Sequence, residues 1–302
     1  MRYGIDLGGT KIEIAALGDD GSLKLRRRVP SPQGDYRATV AALAGLVAAA
    51  DSELGEKPSV GIGIPGTISP ATGLVKNANS VWLIGHPLDR DLGEAIGRPV
   101  RIANDADCFV LSEASDGAAA GARSVFGVII GTGVGGGLVY EGRPIFGINS
   151  IAGEWGHNPL PAPQILDGFD ERPGPQCYCG RSGCIETFLS GPSLARDHQR
   201  MTGADLKAEQ IVAAAKAGDP HAAATMMRYL DRMGRALGTI VNVFDPEIIV
   251  LGGGLSNVDM LYEGLPSRLA KFVFSDTIAT KVVRNMHGDS SGVRGAAWLW
   301  PA

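Results

Sequence analysis

Between Gly153 and Glu186 the chain concentrates its soft metal ligands. Cys177, Cys179 and Cys184, three of the four cysteines, fall within eight residues, and His157 stands upstream across a Pro-rich loop. One imidazole and three thiolates complete a tetrahedral zinc shell and leave no position open for water, which makes the ion structural. A disulfide is the competing reading. Cys177 and Cys179 are too close for an easy bridge, and nothing in the chain points to secretion. Glu154 and Glu186 flank the ligands at either end. A metal that pins the loop would hold both carboxylates beside the imidazole, a set of acceptors suited to a polyhydroxyl ligand.

A second chemistry is written in glycine-rich bends. In Asp6-Leu7-Gly8-Gly9-Thr10-Lys11, apolar alternating runs on both sides of Gly-Gly-Thr predict a hairpin. Bare glycine backbone can turn several N–H groups toward one anion, Thr10 can donate to a phosphate, and Asp6 could hold a hydrated Mg²⁺. An ordinary tight turn would explain one such hairpin. The pattern returns, however, at 125–140, where Gly131-Thr132-Gly133 separates two further apolar runs. Asn104-Asp105 stands where a strand passes into a helix, a position shared by simple N-caps and by the ligand-binding ends of α/β sheets. Gly252-Gly253-Gly254 follows another buried strand and could let a flat ring lie against backbone, and Lys76 to Ser80 reads equally as a surface turn or a ligand loop.

The elements needed to carry these groups alternate. Helix 37–54, strand 60–64, a helix near 89–96, strand 100–103 and helix 106–121 fill the space between the two hairpins. Beyond the cysteines the pattern is mainly helical, at 192–201, 207–217 and 220–244, the last with Met226, Met227, Leu230, Met233, Leu237, Ile240 and Val241 as a core stripe. A capped helix with a Trp face closes the chain and is expected to pack back on the first domain. With 302 residues, 44% hydrophobic, the chain can build two domains with real cores. A net charge of −4 gives no reason to expect nucleic acid, and no apolar run predicts a membrane span or signal segment. These features predict a cytoplasmic protein.

The motifs Asp6-Leu7-Gly8-Gly9-Thr10-Lys11, Asn104-Asp105, Ile130-Gly131-Thr132-Gly133, Glu154-Trp155-Gly156-His157, Cys177-x-Cys-Gly-x-x-Gly-Cys184-x-Glu186 and Leu251-Gly252-Gly253-Gly254 occur in the order found in the ROK family of sugar kinases and repressors. The chain resembles that family from end to end. Trp155, together with the tail His287 to Gly295, looks most like bacterial fructokinases of the manno(fructo)kinase type; many relatives carry a small aliphatic residue where Trp155 stands.

This resemblance implies an α/β, actin/hexokinase-like (ribonuclease H-like) duplicated fold of two domains with a cleft between them, each around a βββαβα core. It assigns 1–115, completed by a C-terminal helix at 288–302, to a small domain and 116–287 to a large one carrying the zinc loop. It also implies an ATP-dependent hexose kinase acting on a 6-hydroxyl, fructose first, with glucose or an N-acetylhexosamine as the alternative sugars. Asp105 matches the family's catalytic base, and Asn104, Glu154, His157 and Glu186 match its sugar contacts. Asp6, Gly8, Gly9, Thr10, Lys11, Gly131, Thr132, Gly133 and Gly252 to Gly254 would hold ATP and Mg²⁺. His157, Cys177, Cys179 and Cys184 would hold a structural Zn²⁺. The expected partners are the hexose, ATP and a second copy of the chain, with neither nucleic acid nor membrane. A ROK repressor would place a DNA-reading winged helix before the hairpin that here begins at residue 3, and a sugar sensor without catalysis would have little use for both Asp6 and Asp105.

Overall fold

Residues 1–300 are described by the computed structural model. They divide into two compact units: Met1–Gly121 with Gly137–Gly153 and the chain from Met286 onward, and Ala122–Gly136 with Glu154–Asn285. Relative to the expected boundary at residue 115, this division adds 137–153 to the first unit. Pro301 and Ala302, the last residues of the expected helix 288–302, lie outside the described residues.

The first unit is built on a five-stranded sheet. Its strands are β1 (Arg2–Leu7), β2 (Lys11–Leu17), β3 (Leu23–Pro30), β4 (Ser59–Ile64) and, after a small pair β5 (Thr67–Ile68) and β6 (Val75–Lys76), β7 (Val100–Asn104), in the order β3-β2-β1-β4-β7. The hairpins β1–β2 and β2–β3 are antiparallel, and β4 and β7 join in parallel. Helices α1 (Tyr36–Leu54), capped by Asp35, and α2 (Leu88–Ile96) supply the crossovers that parallel strands require. The edge strand β3 carries Arg26, Arg27 and Arg28, and Arg26 and Arg28 both pair with the buried Glu13 of β2. Charges on an exposed edge also discourage pairing with another chain.

Helix α3 (Asp105–Ser115) ends six residues before the predicted Gly121. The cause is Glu113. Its buried carboxylate accepts from Ala118 N of the chain that follows and from Met286 N, His287 N and Ser291 Oγ of the tail, so the backbone turns to meet it. The C-terminal helix Ser291–Trp298 then lies on β1, β4 and α3 at backbone distance. A Cβ on Gly4 would stand 1.9 Å from Val293 O, one on Gly61 1.8 Å from Ala296 O, and one on Gly295 1.6 Å from Cys108 O. The glycines of the tail motif are therefore packing requirements of this unit. The Trp face is real: Trp300 Nε1 donates to Val60 O, and Arg2 lies over the Trp298 ring.

The second sheet repeats the strand order of the first. Strands β8 (Ser124–Ile130), β9 (Val134–Tyr140) and β10 (Arg143–Pro144), with β13 (Ile248–Gly252) and β14 (Lys281–Arg284), run β10-β9-β8-β13-β14, and β13 pairs in parallel with β8 and β14. The unit division passes through β9. Between β10 and β13 come the metal-ligand loop with a small pair β11 (Ile165–Leu166) and β12 (Phe169–Asp170), then α4 (Glu186–Leu189), α5 (Gly191–Thr202), α6 (Ala208–Lys216) and α7 (Pro220–Phe244). Helix α8 (Asp259–Leu269) connects β13 to β14. Helix α7 begins with Asp219 as N-cap and Pro220 at its first turn, as its sequence predicts. Its buried face differs from the predicted stripe. Met227 is exposed, and Arg228, Arg232 and Arg235 are buried beside Met226, Leu230, Met233 and Leu237.

Candidate active-site groups

In the first unit the predicted groups gather at the carboxyl ends of parallel strands, where open α/β sheets bind ligands. Asp6 lies near the end of β1, the Gly66 turn follows β4, and Asn104 ends β7. The Gly8-Gly9-Thr10 bend is closed by Gly8 N–H donating to Lys11 O at 3.0 Å, and Gln33 Nε2 holds Gly9 O from outside. Burial pushes the Asp6 carboxyl above its ordinary value, and Glu13, its partner across the β1–β2 ladder, adds to this against Lys11 and Arg28. Asn104 is the N-cap of α3: its Oδ1 accepts Ala106 N–H at 2.9 Å while its Nδ2 donates to Gly66 O at 3.3 Å. Asp105 Oδ1 accepts from the same Ala106 N–H at 2.8 Å. The capping and ligand-binding readings of this pair thus coexist, because a cap can hold the next side chain in place. The fourth cysteine, Cys108, is fully buried beneath this end of the sheet. Burial, then Asp107, Asp6 and Asp105, push its thiol well up, which makes it an inert packing group.

The second unit brings the other two glycine stretches together. Gly131, Thr132 and Gly254 line one pocket of about 580 Å³ with Lys207, Glu209 and Asn257. The Gly131 turn closes on Gly133 O at 3.0 Å, and Gly131 O accepts Gly191 N–H at the start of α5. Of the triple glycine, only Gly254 reaches this pocket. Gly253 has φ +80°, and a Cβ there would stand 2.5 Å from Ile130 O, so its role is close backbone approach to β8. Lys207, Glu209 and Asn257 come from separate loops and helices, and no spacing in the sequence announces them.

The metal-ligand loop forms as its residue types demand. The ligand atoms of His157, Cys177, Cys179 and Cys184 all lie within 4.8 Å of one another. Cys179 Sγ to Cys184 Sγ is 3.6 Å, and Cys177 Sγ to His157 Nδ1 is 3.6 Å. A tetrahedral zinc with thiolates at about 2.3 Å and imidazole at about 2.0–2.1 Å has edges of roughly 3.6–3.8 Å, so the donors fit that ion. Backbone bonds from Leu160 N to Gly183 O and from Ile185 N to Asn158 O bring the histidine and cysteine ends into register. The Arg181 side chain bonds Cys179 and lowers its thiol to about 6, whereas burial raises Cys184 to about 12. A cation with a deprotonated ligand set would lower every one of these thiols.

The two flanking carboxylates have different surroundings. Glu154 is exposed. Glu186 Oε2 accepts Val134 N–H at 3.0 Å, and a Cβ on Gly133 would stand 2.7 Å from that oxygen, so Glu186 ties the cysteine motif to the second hairpin. His157 turns Nε2 to the Tyr178 hydroxyl at 2.9 Å. Burial, then Glu186 and Glu154, push that phenol up to about 12, which places it in the field of both carboxylates. Tyr178 carries no signal in the sequence, because a residue between two cysteines reads as a spacer. Trp155 is 2% exposed, donates Nε1–H to Gly135 O at 2.9 Å and meets Phe126 edge to face. It packs against the second hairpin, so it does not line a sugar pocket.

Comparison with known proteins agrees with this arrangement. The ROK family model matches residues 2–302. An N-acetyl-D-glucosamine kinase of Salmonella gallinarum is 44% identical over 300 residues, 99% of each chain. The crystal structure of a ROK hexokinase from Thermus thermophilus superposes with a TM-score of 0.86 at 33% identity, covering 99% of this chain and 97% of that one. A ROK family glucokinase from Streptomyces griseus, solved with glucose and AMPPNP, gives a TM-score of 0.75 at 26% identity over 98% and 97% of the two chains. The fold is the actin/hexokinase-like two-domain α/β fold of those structures. By its full-length match, the chain belongs to the ROK family, as one of its ATP-dependent sugar kinases.

Proposed function

We propose that this protein transfers the γ-phosphoryl group of ATP to the 6-hydroxyl of an N-acetylated hexosamine, with N-acetyl-D-glucosamine as the first candidate. The observation that carries this reading is the 44% identity, across 99% of both chains, to a kinase named for that sugar. The alternative of fructose rests on Trp155 and the tail motif. Trp155 is buried against β8 and β9, and the tail glycines are consumed in packing on β1, β4 and α3. Neither residue argument for fructose survives that placement.

In this reading Asn104, Asp105, Glu154, His157 and Glu186 contact the sugar, and Asp105 takes the proton of the attacking hydroxyl. A carboxylate of ordinary pKa about 3.9 is a weak base for an alcohol, so proton transfer comes late, as the oxygen bonds to phosphorus. The N-cap role of Asn104 then fixes the base at the start of α3. The glycine bends at 8–10 and 131–133 would cradle the ATP phosphates with backbone N–H groups, and the pocket lined by Gly254 and Asn257 would take the adenosine. Asp6 would hold Mg²⁺ through water; bound there, the ion neutralises phosphate charge. Zinc on His157, Cys177, Cys179 and Cys184 would be structural, since the four donors leave no open position.

Initial rates with Mg²⁺-ATP against N-acetylglucosamine, N-acetylmannosamine, glucose, mannose and fructose test the sugar. N-acetylglucosamine should have the highest kcat/KM; a tenfold advantage for fructose would overturn the substrate and keep the kinase. Asp105→Asn should bind both substrates and lose about 10²–10⁴ in kcat. Near-parental turnover in that variant would move the base elsewhere.

A further inference from the structure

The two ring nitrogens of His157 face different neighbours. Nδ1 lies 3.6 Å from Cys177 Sγ, within the four-donor cluster, and Nε2 lies 2.9 Å from the Tyr178 hydroxyl. An imidazole that gives Nδ1 to a metal keeps its proton on Nε2 and can only donate there. Tyr178 Oη is then the acceptor. The proposed function assigns the same N–H to a sugar hydroxyl. One N–H makes one strong, nearly linear bond, so the phenol and the sugar cannot both have it at full strength.

We infer that Tyr178 is a place-holder in the sugar subsite: its hydroxyl caps His157 Nε2 in the free protein and is exchanged for a sugar hydroxyl on binding. The inference rests on the sugar-kinase reading and adds a residue to it. Three features make exchange easier than retention. Tyr178 is 79% exposed, so its ring gives up little packing when it swings away and its hydroxyl passes to water. Its ring partner among the described residues is His157 itself, met edge to face at 5.1 Å and 86°. Its backbone is fixed on both sides, by Cys177 N–H on Arg181 O at 2.8 Å and Gly180 N–H on Cys177 O at 3.0 Å, so release is a rotation of one side chain and leaves the cysteines where they are.

The arrangement has a use. A buried or half-buried N–H without an acceptor is costly. Tyr178 satisfies His157 while the site waits, holding the imidazole in the tautomer and orientation that the sugar will need. The sugar must displace this bond to enter, which lowers its apparent affinity by the net value of one hydrogen bond.

Tyr178→Phe keeps the ring and deletes the competitor. In metal-loaded protein the variant should bind N-acetylglucosamine about two- to tenfold more tightly than the parent by calorimetry, the fold-change that one net hydrogen bond represents. Tyr178→Leu, which removes the ring as well, should shift affinity in the same direction. The ¹⁵N resonance of His157 Nε2 should differ between parent and Tyr178→Phe in the free proteins and converge when both are saturated with sugar. A structural role for Tyr178 predicts no such convergence. Unchanged affinity in the variants overturns the exchange, and weaker binding overturns it in favour of direct contact between phenol and sugar. If the parent binds none of the sugars in the panel, the substrate reading fails and the exchange falls with it; if the parent binds and the variants bind no tighter, only the exchange falls.

Discussion

Around Glu171 the loop between Glu154 and Glu186 is held by charges shut away from water, and around Cys179 it is held by soft ligands at the surface. Glu171 accepts from Arg235 Nη2 at 2.7 Å, Arg235 Nη1 at 2.8 Å, Arg232 Nε at 2.8 Å and Gln164 N at 2.8 Å, with its side chain and that of Arg235 both at 0% exposure. Arg235 Nη1 also reaches Pro161 O and Ala162 O, so helix α7 grips the loop backbone directly. Cys179, by contrast, is exposed, and apart from the proposed ion the cluster is joined by thiol contacts of 3.6 Å and a few backbone bonds. One end is complete in the folded chain. The other has a geometry that needs an ion to become rigid. This difference teaches that the loop's path is set by α7, and that the metal's task is narrower: to fix His157, Cys184 and hence Glu186 beside the second hairpin.

The largest effect should come from breaking the complete end. Glu171→Ala leaves Arg232 and Arg235 buried without their carboxylate, and removing one partner of a buried ion pair costs about 3–5 kcal/mol. Urea unfolding of the metal-loaded variant measures this. A loss below about 1 kcal/mol would mean that water or Asp197 replaces the carboxylate, and the loop would then depend on the metal after all.

Metal removal should act on the exposed end alone. After chelation, hydrogen exchange should accelerate over 176–186, while the amides of 160–172 keep the protection that Arg235 gives them. Sugar affinity should fall with the metal, because Glu186 and His157 lose their fixed positions. Equal loss of protection at both ends would show that the arginine grip cannot hold the loop by itself. Cys184→Ala should reproduce the chelated pattern, and elemental analysis of active, freshly purified protein should find one zinc per chain.

The legibility of these two ends from sequence follows their chemistry. Three cysteines and a histidine are rare residue types at short range, and their spacing alone is enough to mark them as a ligand set. The arginines of α7 carry no such mark. Arg228, Arg232 and Arg235 recur at the spacing of one helix face, but a charged face ordinarily reads as solvated, and their carboxylate partners Asp197 and Glu171 lie tens of residues away. The same distance effect hides the early end of α3, since Glu113 turns the chain by accepting from Met286 and His287. The glycine hairpins are legible because a turn is local, and their repetition anticipates the matching strand orders of the two sheets. Trp155 is open in sequence because an indole beside Glu154 can face either a pocket or a core, and only Phe126 and Gly135 decide it.

Acid should separate the two ends with the mildest perturbation. Burial by itself raises the Glu171 carboxyl, but the hydrogen bonds from Arg235 and Arg232 outweigh it and hold the group below its ordinary value. A carboxylate whose folded pKa is depressed contributes stability that is fully present above its unfolded value of about 4.5 and is lost as pH falls through the lower folded one. The thiolate and imidazole ligands work the other way in the order of events: protons compete with the metal for each of them, so the cluster should let go first, above the carboxylate range. Lowering pH from about 7 should therefore release metal, followed with a colorimetric zinc indicator, while the unfolding free energy still includes the Glu171 pairs. A second loss of stability should follow at lower pH, and it should be absent in Glu171→Gln, which has no carboxylate to protonate. Coincident metal release and loss of the Glu171 contribution would mean that the two ends form one cooperative unit.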